Sequence, residues 1–235
     1  MNTSSIAHRI STVRETIRDA ALRSSRDPGE ITLLAASKQV PVETILQAVD
    51  NGIKHIGENQ IQEAEAKFGQ SGIPQNKATL HLIGHLQSNK IRRAIKLFGV
   101  IQSVDSQILA TKIDNIAGEL GETVPIYIEV NLGSEFSKTG IRHDHTIDLA
   151  GHIARSKNLS LEGLMTVPPY TENPEGARPF FKALNELRSR VNELEAFRDK
   201  NLGLSMGMSH DFGIAVEEGS TLVRVGRAIW QPPNN

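Results

Sequence analysis

ITLLAASKQVPVETILQAVDNGIKHIGE, residues 31–58, holds one full cycle of a plan that the rest of the chain repeats. Ile31 to Ala36 is a short apolar run with the composition of a buried strand. Pro41 then opens a segment in which Val42, Ile45, Leu46 and Val49 recur at helical spacing, and Gly52 closes it. Residues 54–57 read as a second strand. A strand, a helix and a strand joined this tightly form a right-handed crossover between parallel neighbours. Further strands are expected at 80–83, 100–104, 125–131, 160–165, 202–206 and 222–226, with helices at 86–98, 106–120, 143–157 and 177–198 and shorter ones at 59–68 and 211–218. Ahead of the first strand, Ile6, Ile10, Val13 and Ile17 mark an extra N-terminal helix, with Ser4 or Ser5 as its cap.

Eight strands alternating with helices place the chain in the α/β class and favour closure into a (β/α)8 TIM barrel. The 235 residues are slightly short of the roughly 250 typical of that barrel. An open doubly wound sheet is the alternative, but no G-x-G-x-x-G follows the first strand. No Gly/Ser-rich linker divides the chain, so residues 1–235 read as one domain.

The composition excludes several functions. Lys plus Arg total 26 against 27 for Asp plus Glu, which argues against a general nucleic-acid or membrane-surface binder. Cysteine is absent, so disulfides, thiol nucleophiles and thiolate metal sites are excluded. The N-terminal residues lack the apolar core of a signal peptide, and no apolar stretch approaches the roughly 18 residues that span a bilayer. The expected location is cytoplasmic.

In a barrel of this type, the C-terminal tips of the strands build the site. Here the tips carry Ser37-Lys38, Gly57-Glu58-Asn59, GHLQSNK (84–90), NLGSEFSKTG (131–140), LMTVPP (164–169), SMGMSHD (205–211) and RVGR (224–227). The last two lie where barrels habitually bind phosphate. Gly207 and Gly226 allow close backbone approach, Ser205 and Ser209 offer hydroxyls, and Ser209 is expected at a helix N-terminus, where free N–H groups favour an anion. The competing reading is a capped helix and a tight turn. A lysine on the same rim suggests a Schiff base, which forms only from an uncharged amine. The apolar strand behind Lys38 is expected to bury that amine and lower its pKa. Of the phosphorylated aldehydes, pyridoxal 5'-phosphate (PLP) is the one protein lysines hold.

The stretches ASK (36–38), HIGENQIQE (55–63), HLIGHLQSNK (81–90), SEFSKTGI (134–141), GLMTV (163–167) and LSMGMSHDFGIAVEEGSTLVRVG (204–226) resemble the pyridoxal-phosphate homeostasis family, the YggS/PROSC-like proteins. The resemblance covers nearly the whole chain. It implies a barrel of the alanine-racemase N-terminal type with PLP on Lys38. It also implies that Ser209, Gly226 and Arg227 hold the phosphate, with Ser205 and Met206 nearby, and that Arg224 faces the pyridine nitrogen. Asn59 and His85 complete the expected cofactor contacts. Many family members carry a second lysine just after the first; here Gln39-Val40 stands there instead. An arginine opposite the pyridine nitrogen keeps that nitrogen unprotonated and makes PLP a weaker electron sink. The other reading of Arg224 is an outward strand residue paired with Glu217 or Glu218.

The function this implies is PLP binding for intracellular vitamin B6 homeostasis and amino-acid and keto-acid balance, without robust catalysis. Apo forms of PLP enzymes are the expected recipients, and the chain is expected to be a monomer. The alternative is a weakly active PLP-dependent amino-acid racemase. Racemases carry a β-rich second domain that supplies a base on the opposite PLP face, and the chain ends about ten residues after the eighth strand, so that domain is not expected. A Schiff-base aldolase places its lysine on a later strand more often. His81 and His85 are about 13 Å apart along a strand, too far to share a metal. His85 is expected on the rim and His81 in the core or lower barrel. RHDH (142–145) reads as a solvated helix start and NKIRRAIK (89–96) as a solvated basic face. Lys138 is either a surface lysine or a second amine that receives PLP in transit.

Overall fold

The computed structural model describes residues 5–69, 77–133 and 139–231. Its strands are β1 (Thr32–Ala36), β2 (His55–Glu58), β3 (Thr79–Leu82), β4 (Val100–Val104), β5 (Val124–Asn131), β6 (Ile141–Arg142), β7 (Leu159–Met165), β8 (Gly203–Ser205) and β9 (Leu222–Val225). All pairings are parallel. β1 pairs with both β2 and β9, and β4 pairs with β5, so eight strands close into a ring. The two-residue β6 lies outside the ring, beside the end of β5. The expected (β/α)8 barrel is therefore present.

The strands alternate in what they face. In β5, Val124, Ile126, Ile128 and Val130 join the apolar layer under the helices, while Tyr127, Glu129 and Asn131 face the barrel axis. In β1, Ala35 belongs to the outer layer. Leu34 lies in register with Arg224 of β9 and faces inward with it. The outer layer is covered by α1 (Ile6–Arg23), α2 (Val42–Asp50), α3 (Ile61–Phe68), α4 (Ile91–Leu97), α5 (Gln107–Leu120), α6 (Thr146–Ile153), α7 (Arg178–Asn192), α8 (Phe212–Glu217) and α9 (Arg227–Trp230). The N-terminal α1 buries Ile10, Val13, Ile17, Ala20 and Ala21 and lies across α8 and α9. Ser5 caps it by accepting a hydrogen bond from His8 N, 3.2 Å away. Among the described residues, no helix is long and apolar enough to cross a membrane.

Three expected helices are shorter than their apolar periodicity suggests. Residues 88–90 and 143–145 are 3-10 turns that lead into α4 and α6, and α7 ends at Asn192 before a separate 3-10 turn at Glu195–Phe197. Leu86, read as the first apolar residue of the 86–98 helix, is fully buried in the loop before it. Periodicity records burial, and buried loop residues imitate it.

Candidate functional site

The parallel strands bring the tips after β1, β2, β3, β4, β7, β8 and β9 to one rim. Lys38 follows β1 by two residues, in the turn that Val40 N closes by donating to Ser37 O at 3.0 Å. The expected burial is not observed. Ser37 is fully buried, but Lys38 and Gln39 are exposed. The apolar residues of β1 end at Ala36, before the turn that carries Lys38.

The loop after β8 and the start of α9 form the second part of the site. Ser209 Oγ accepts hydrogen bonds from Gly226 N at 3.1 Å and Ala228 N at 3.3 Å. The first N–H groups of a helix have no intrahelical acceptor, and here a hydroxyl supplies one. Ser209 therefore serves the N-terminus of α9, not that of the helix that follows it in sequence; α8 starts after Asp211, whose Oδ1 accepts from Met208 N at 2.6 Å within the loop before it. Gly226 packs beside β1: a Cβ there would lie 3.3 Å from Ala36 O. Trp230 Nε1 donates to the same Ala36 carbonyl at 2.7 Å and pins α9 to β1. Arg227 opens α9 and is exposed on the rim. Gly207 has another role than expected. Its φ of +93° and a Cβ position 2.5 Å from Ala215 Cβ show that its missing side chain admits α8, not a ligand.

Arg224 is buried inside the barrel. Its NH1 donates to Ser205 O and to Ser205 Oγ, both at 2.7 Å, and its NH2 donates to Thr166 O at 2.8 Å. All three acceptors are neutral. Burial pulls the guanidinium down to about 10, opposed by the Glu129 and Asp211 carboxylates, so it is charged at neutral pH. The outward reading is overturned: Glu217 and Glu218 pair with Arg178 at 2.8 and 2.5 Å. Ser205 is also reassigned. Its hydroxyl donates to Gln102 Oε1 at 2.6 Å within the barrel and does not reach the rim. The chain of bonds continues. Gln102 Nε2 lies 3.0 Å from His81 Nδ1, and His81 Nε2 lies 3.0 Å from His55 Nδ1. Because Gln102 Oε1 accepts from Ser205, its amide N–H must donate to His81 Nδ1. His81 then carries its proton on Nε2 and donates to His55. The polar interior is thus a directed chain from Arg224 down to the floor of the barrel, where a TIM barrel usually packs branched apolar residues. His81 sits in the lower barrel, as expected.

That chain makes a stability prediction. Burial, with a smaller effect of His55, pushes the His81 pKa down to about 3. Unfolded histidine titrates near 6.5. Between those values the unfolded chain binds a proton that the folded chain does not, so stability falls as pH falls. His81 alone should cost about 2 kcal/mol between pH 7 and pH 5. Urea titrations of the protein and of His81→Gln at both pH values check this: the variant should lose most of that slope, and an unchanged slope would refute the assignment.

The other expected contacts are less engaged. Asn59 is half-buried at the tip of β2, with its carbonyl against Gly84. His85 is on the rim, 3.8 Å from Asp105 at the tip of β4. The Met206 side chain lies in the apolar core, its N–H donates to Leu222 O, and its carbonyl accepts from Ser220 Oγ. Met206 is a packing residue here. Lys138 lies outside the described residues. No group of three or more His, Asp or Glu side chains suited to a metal occurs among the described residues. Sequence reading missed Gln102, Thr166 and Trp230. A glutamine beside a serine in the strand VIQSV was the available signal.

The donor set fits a phosphorylated aromatic aldehyde: an amine, a hydroxyl over helix N–H groups and a buried cation with neutral partners, all at one end of the barrel. The family of the alanine racemase N-terminal domain matches residues 2–232. The chain is 39% identical to the pyridoxal phosphate homeostasis protein of Aquifex aeolicus, covering 94% of this chain and 96% of that one. It is 36% identical to that of Escherichia coli K12, covering 96% and 95%. Among solved structures, PipY of Synechococcus elongatus PCC7942 with PLP bound aligns with a TM-score of 0.84 and 32% identity, over 96% of this chain and 100% of that one.

Proposed function

We propose, for a chain that belongs to the alanine racemase N-terminal domain family and within it to the pyridoxal phosphate homeostasis proteins, that it holds PLP as a Schiff base on Lys38 and takes part in intracellular PLP homeostasis and amino-acid and keto-acid balance. One observation carries the reading. The tip of β1 with Lys38 and the α9 N-terminus with Ser209 are adjacent, because β1 pairs with β9 and Trp230 holds α9 to Ala36. An amine and an anion cradle are then spaced by one strand-to-strand step. When bound, PLP would supply an aldehyde and an electron-withdrawing ring. The protein's residues supply the rest. Ser209 Oγ, backed by the Gly226 and Ala228 N–H groups that donate to it, would hold the phosphate with Arg227 beside it, and Lys38 would receive the aldehyde carbon. Arg224, held by Ser205 and Thr166, presents its remaining N–H groups to the ring nitrogen; Asn59 and His85 line the mouth.

A guanidinium donates but does not hand over its proton at neutral pH, which suits storage and delivery better than carbanion chemistry. Recipients are apo forms of PLP enzymes, and the chain works as one cytoplasmic, monomeric domain. The test is to load the protein with PLP, remove the excess, and measure two things. Delivery should restore activity to an apo PLP enzyme, while alanine and other common amino acids should turn over no faster than with free PLP. A racemase kcat near the enzyme median of about 10 s⁻¹ would replace this reading with the enzymatic one.

A further inference from the structure

The turn that carries Lys38 is gripped from behind by an ionic cluster that no part of the proposed PLP contacts uses. Lys67, on α3, places Nζ 2.8 Å from Ser37 O, 2.8 Å from Glu58 Oε1 and 2.7 Å from Glu63 Oε1. Ser37 Oγ donates to the same Glu58 oxygen at 2.6 Å. Gln39 N donates to Glu63 Oε1 at 2.5 Å. Ser37 N also donates to Gly57 O at 2.9 Å. The residues on either side of Lys38 are thus both anchored, and the anchors meet at one ammonium. Ser37 and Glu58 both meet Lys67 of α3 behind the sheet, while Lys38 stands exposed in the turn.

Two features show that this grip does more than pair charges. Gln39 has a φ of +61°, left-handed backbone that a non-glycine residue adopts only when its surroundings impose it. Gln39 is the third residue of the turn Ser37–Val40, which Val40 N closes by donating to Ser37 O at 3.0 Å, and the Glu63 carboxylate holds that turn by accepting from the Gln39 N–H. Burial raises the Glu63 carboxyl, but the Lys67 hydrogen bond, the Gln39 N–H and the Lys67 charge outweigh it and hold it ionised. Glu58 is fully buried, and its Oε2 has no hydrogen-bond partner. Burial raises the Glu58 carboxyl above its ordinary range, and the hydrogen bonds from Lys67 and Ser37 and the Lys67 charge oppose that shift, so its charged form depends on the Lys67 cation beside it.

We propose that Lys67, clamped between Glu58 and Glu63, is the positioning residue for Lys38, fixing the direction in which the amine enters the barrel mouth. The inference rests on the Schiff-base reading of Lys38. In that step the Lys38 ammonium gives a proton to water, its Nζ bonds to the aldehyde carbon, and the aldehyde oxygen leaves as water. Only the approach of Nζ depends on the turn; the phosphate cradle on α9 does not.

The experiment compares the protein with Lys67→Met, Lys67→Arg and Glu63→Gln. One ligand is PLP, read by the rate of growth of the visible Schiff-base band and by borohydride fixation on Lys38. The other is 4'-deoxypyridoxine 5'-phosphate, which has the ring and phosphate but no aldehyde. Misplacing a reacting group by about 1 Å costs up to a hundredfold. Lys67→Met should therefore slow Schiff-base formation on the order of tenfold or more, with the affinity for the deoxy analogue unchanged. Lys67→Arg, which keeps a cation able to reach the same acceptors, should recover most of the rate. Wild-type rates in Lys67→Met would overturn the inference, as would an equal weakening of both ligands, which marks a merely structural role. If Lys67→Met does not fold, Glu63→Gln carries the same test, because it keeps the Lys67–Glu58 pair and removes the charge that holds both Lys67 and the Gln39 N–H. Labelling of a different lysine in the unmodified protein would remove the Schiff-base reading itself, and that result does not depend on any Lys67 variant.

Discussion

Lys38→Ala protein mixed with PLP is expected to show no visible Schiff-base band, and borohydride reduction is expected to leave no pyridoxyl group on residue 38. The unmodified protein should be yellow and should carry the group on Lys38 in peptide maps. The change is all or nothing because the covalent bond needs this one amine. Lys67, the nearest described lysine to the turn by its contacts, is turned to the back of β1 and bonded to Ser37 O, Glu58 and Glu63, so it is not placed to substitute. Non-covalent binding should survive, since Ser209, the α9 N–H groups and Arg224 are untouched. The deoxy analogue should therefore bind Lys38→Ala as well as it binds the unmodified protein. Lys38 is exposed, so the substitution carries little stability cost and the loss of colour cannot be put down to unfolding. A Lys38→Ala protein that still turns yellow and fixes the label elsewhere would remove Lys38 from the site.

The barrel was legible because its strands announce themselves twice, as apolar runs and as the partners of intervening helices. β1 through β5 and β7 through β9 all fall within a residue or two of the expected ranges. The four-residue α9 was not legible: GRAIW is too short for a helical period to show. That omission mattered, because α9 provides the N–H groups that Ser209 caps, and without it Ser209 looked like part of α8. The rim residues were legible as a set, since parallel strands put all their ends together. Their individual roles were not. Ser205 and Ser209 look alike in SMGMSHD, yet one is the last residue of a strand and faces inward to Arg224 while the other stands four residues on in the loop. Strand parity separates them: Leu204 joins the outer core, so Ser205 must face the axis. The grip on the Lys38 turn joins Ser37 to Lys67, and nothing in a linear sequence ties those positions together. Only Glu63 and Lys67 could be paired in advance, as an i, i+4 couple.

Ser209→Ala is expected to weaken PLP by about tenfold to a hundredfold and to leave pyridoxal, which lacks the phosphate, nearly unaffected. The geometry gives the sign. Ser209 Oγ accepts from Gly226 N and Ala228 N, so its own hydrogen is directed away from them and is free to donate to an anion on the rim. A hydrogen bond to a charged group contributes roughly 1.5–3 kcal/mol, and each 1.4 kcal/mol is a factor of ten in affinity. The substitution has a second, smaller consequence. It removes the acceptor on two N–H groups, a cap whose loss costs about 1 kcal/mol of stability and lowers the melting temperature by about 2–4 °C in a chain of this size. Added PLP should return part of that loss, because phosphate oxygens take the same N–H groups. Ser209→Thr keeps the hydroxyl and should retain most of the affinity. The Schiff base should still form in Ser209→Ala at high PLP, since Lys38 lies on a different strand. Titrations of each protein with PLP, pyridoxal and the deoxy analogue decide the matter. A common factor lost for PLP and pyridoxal would show that the hydroxyl does not meet the phosphate, and the cradle would then have to be sought away from the α9 N-terminus, even with Lys38 still carrying the aldehyde.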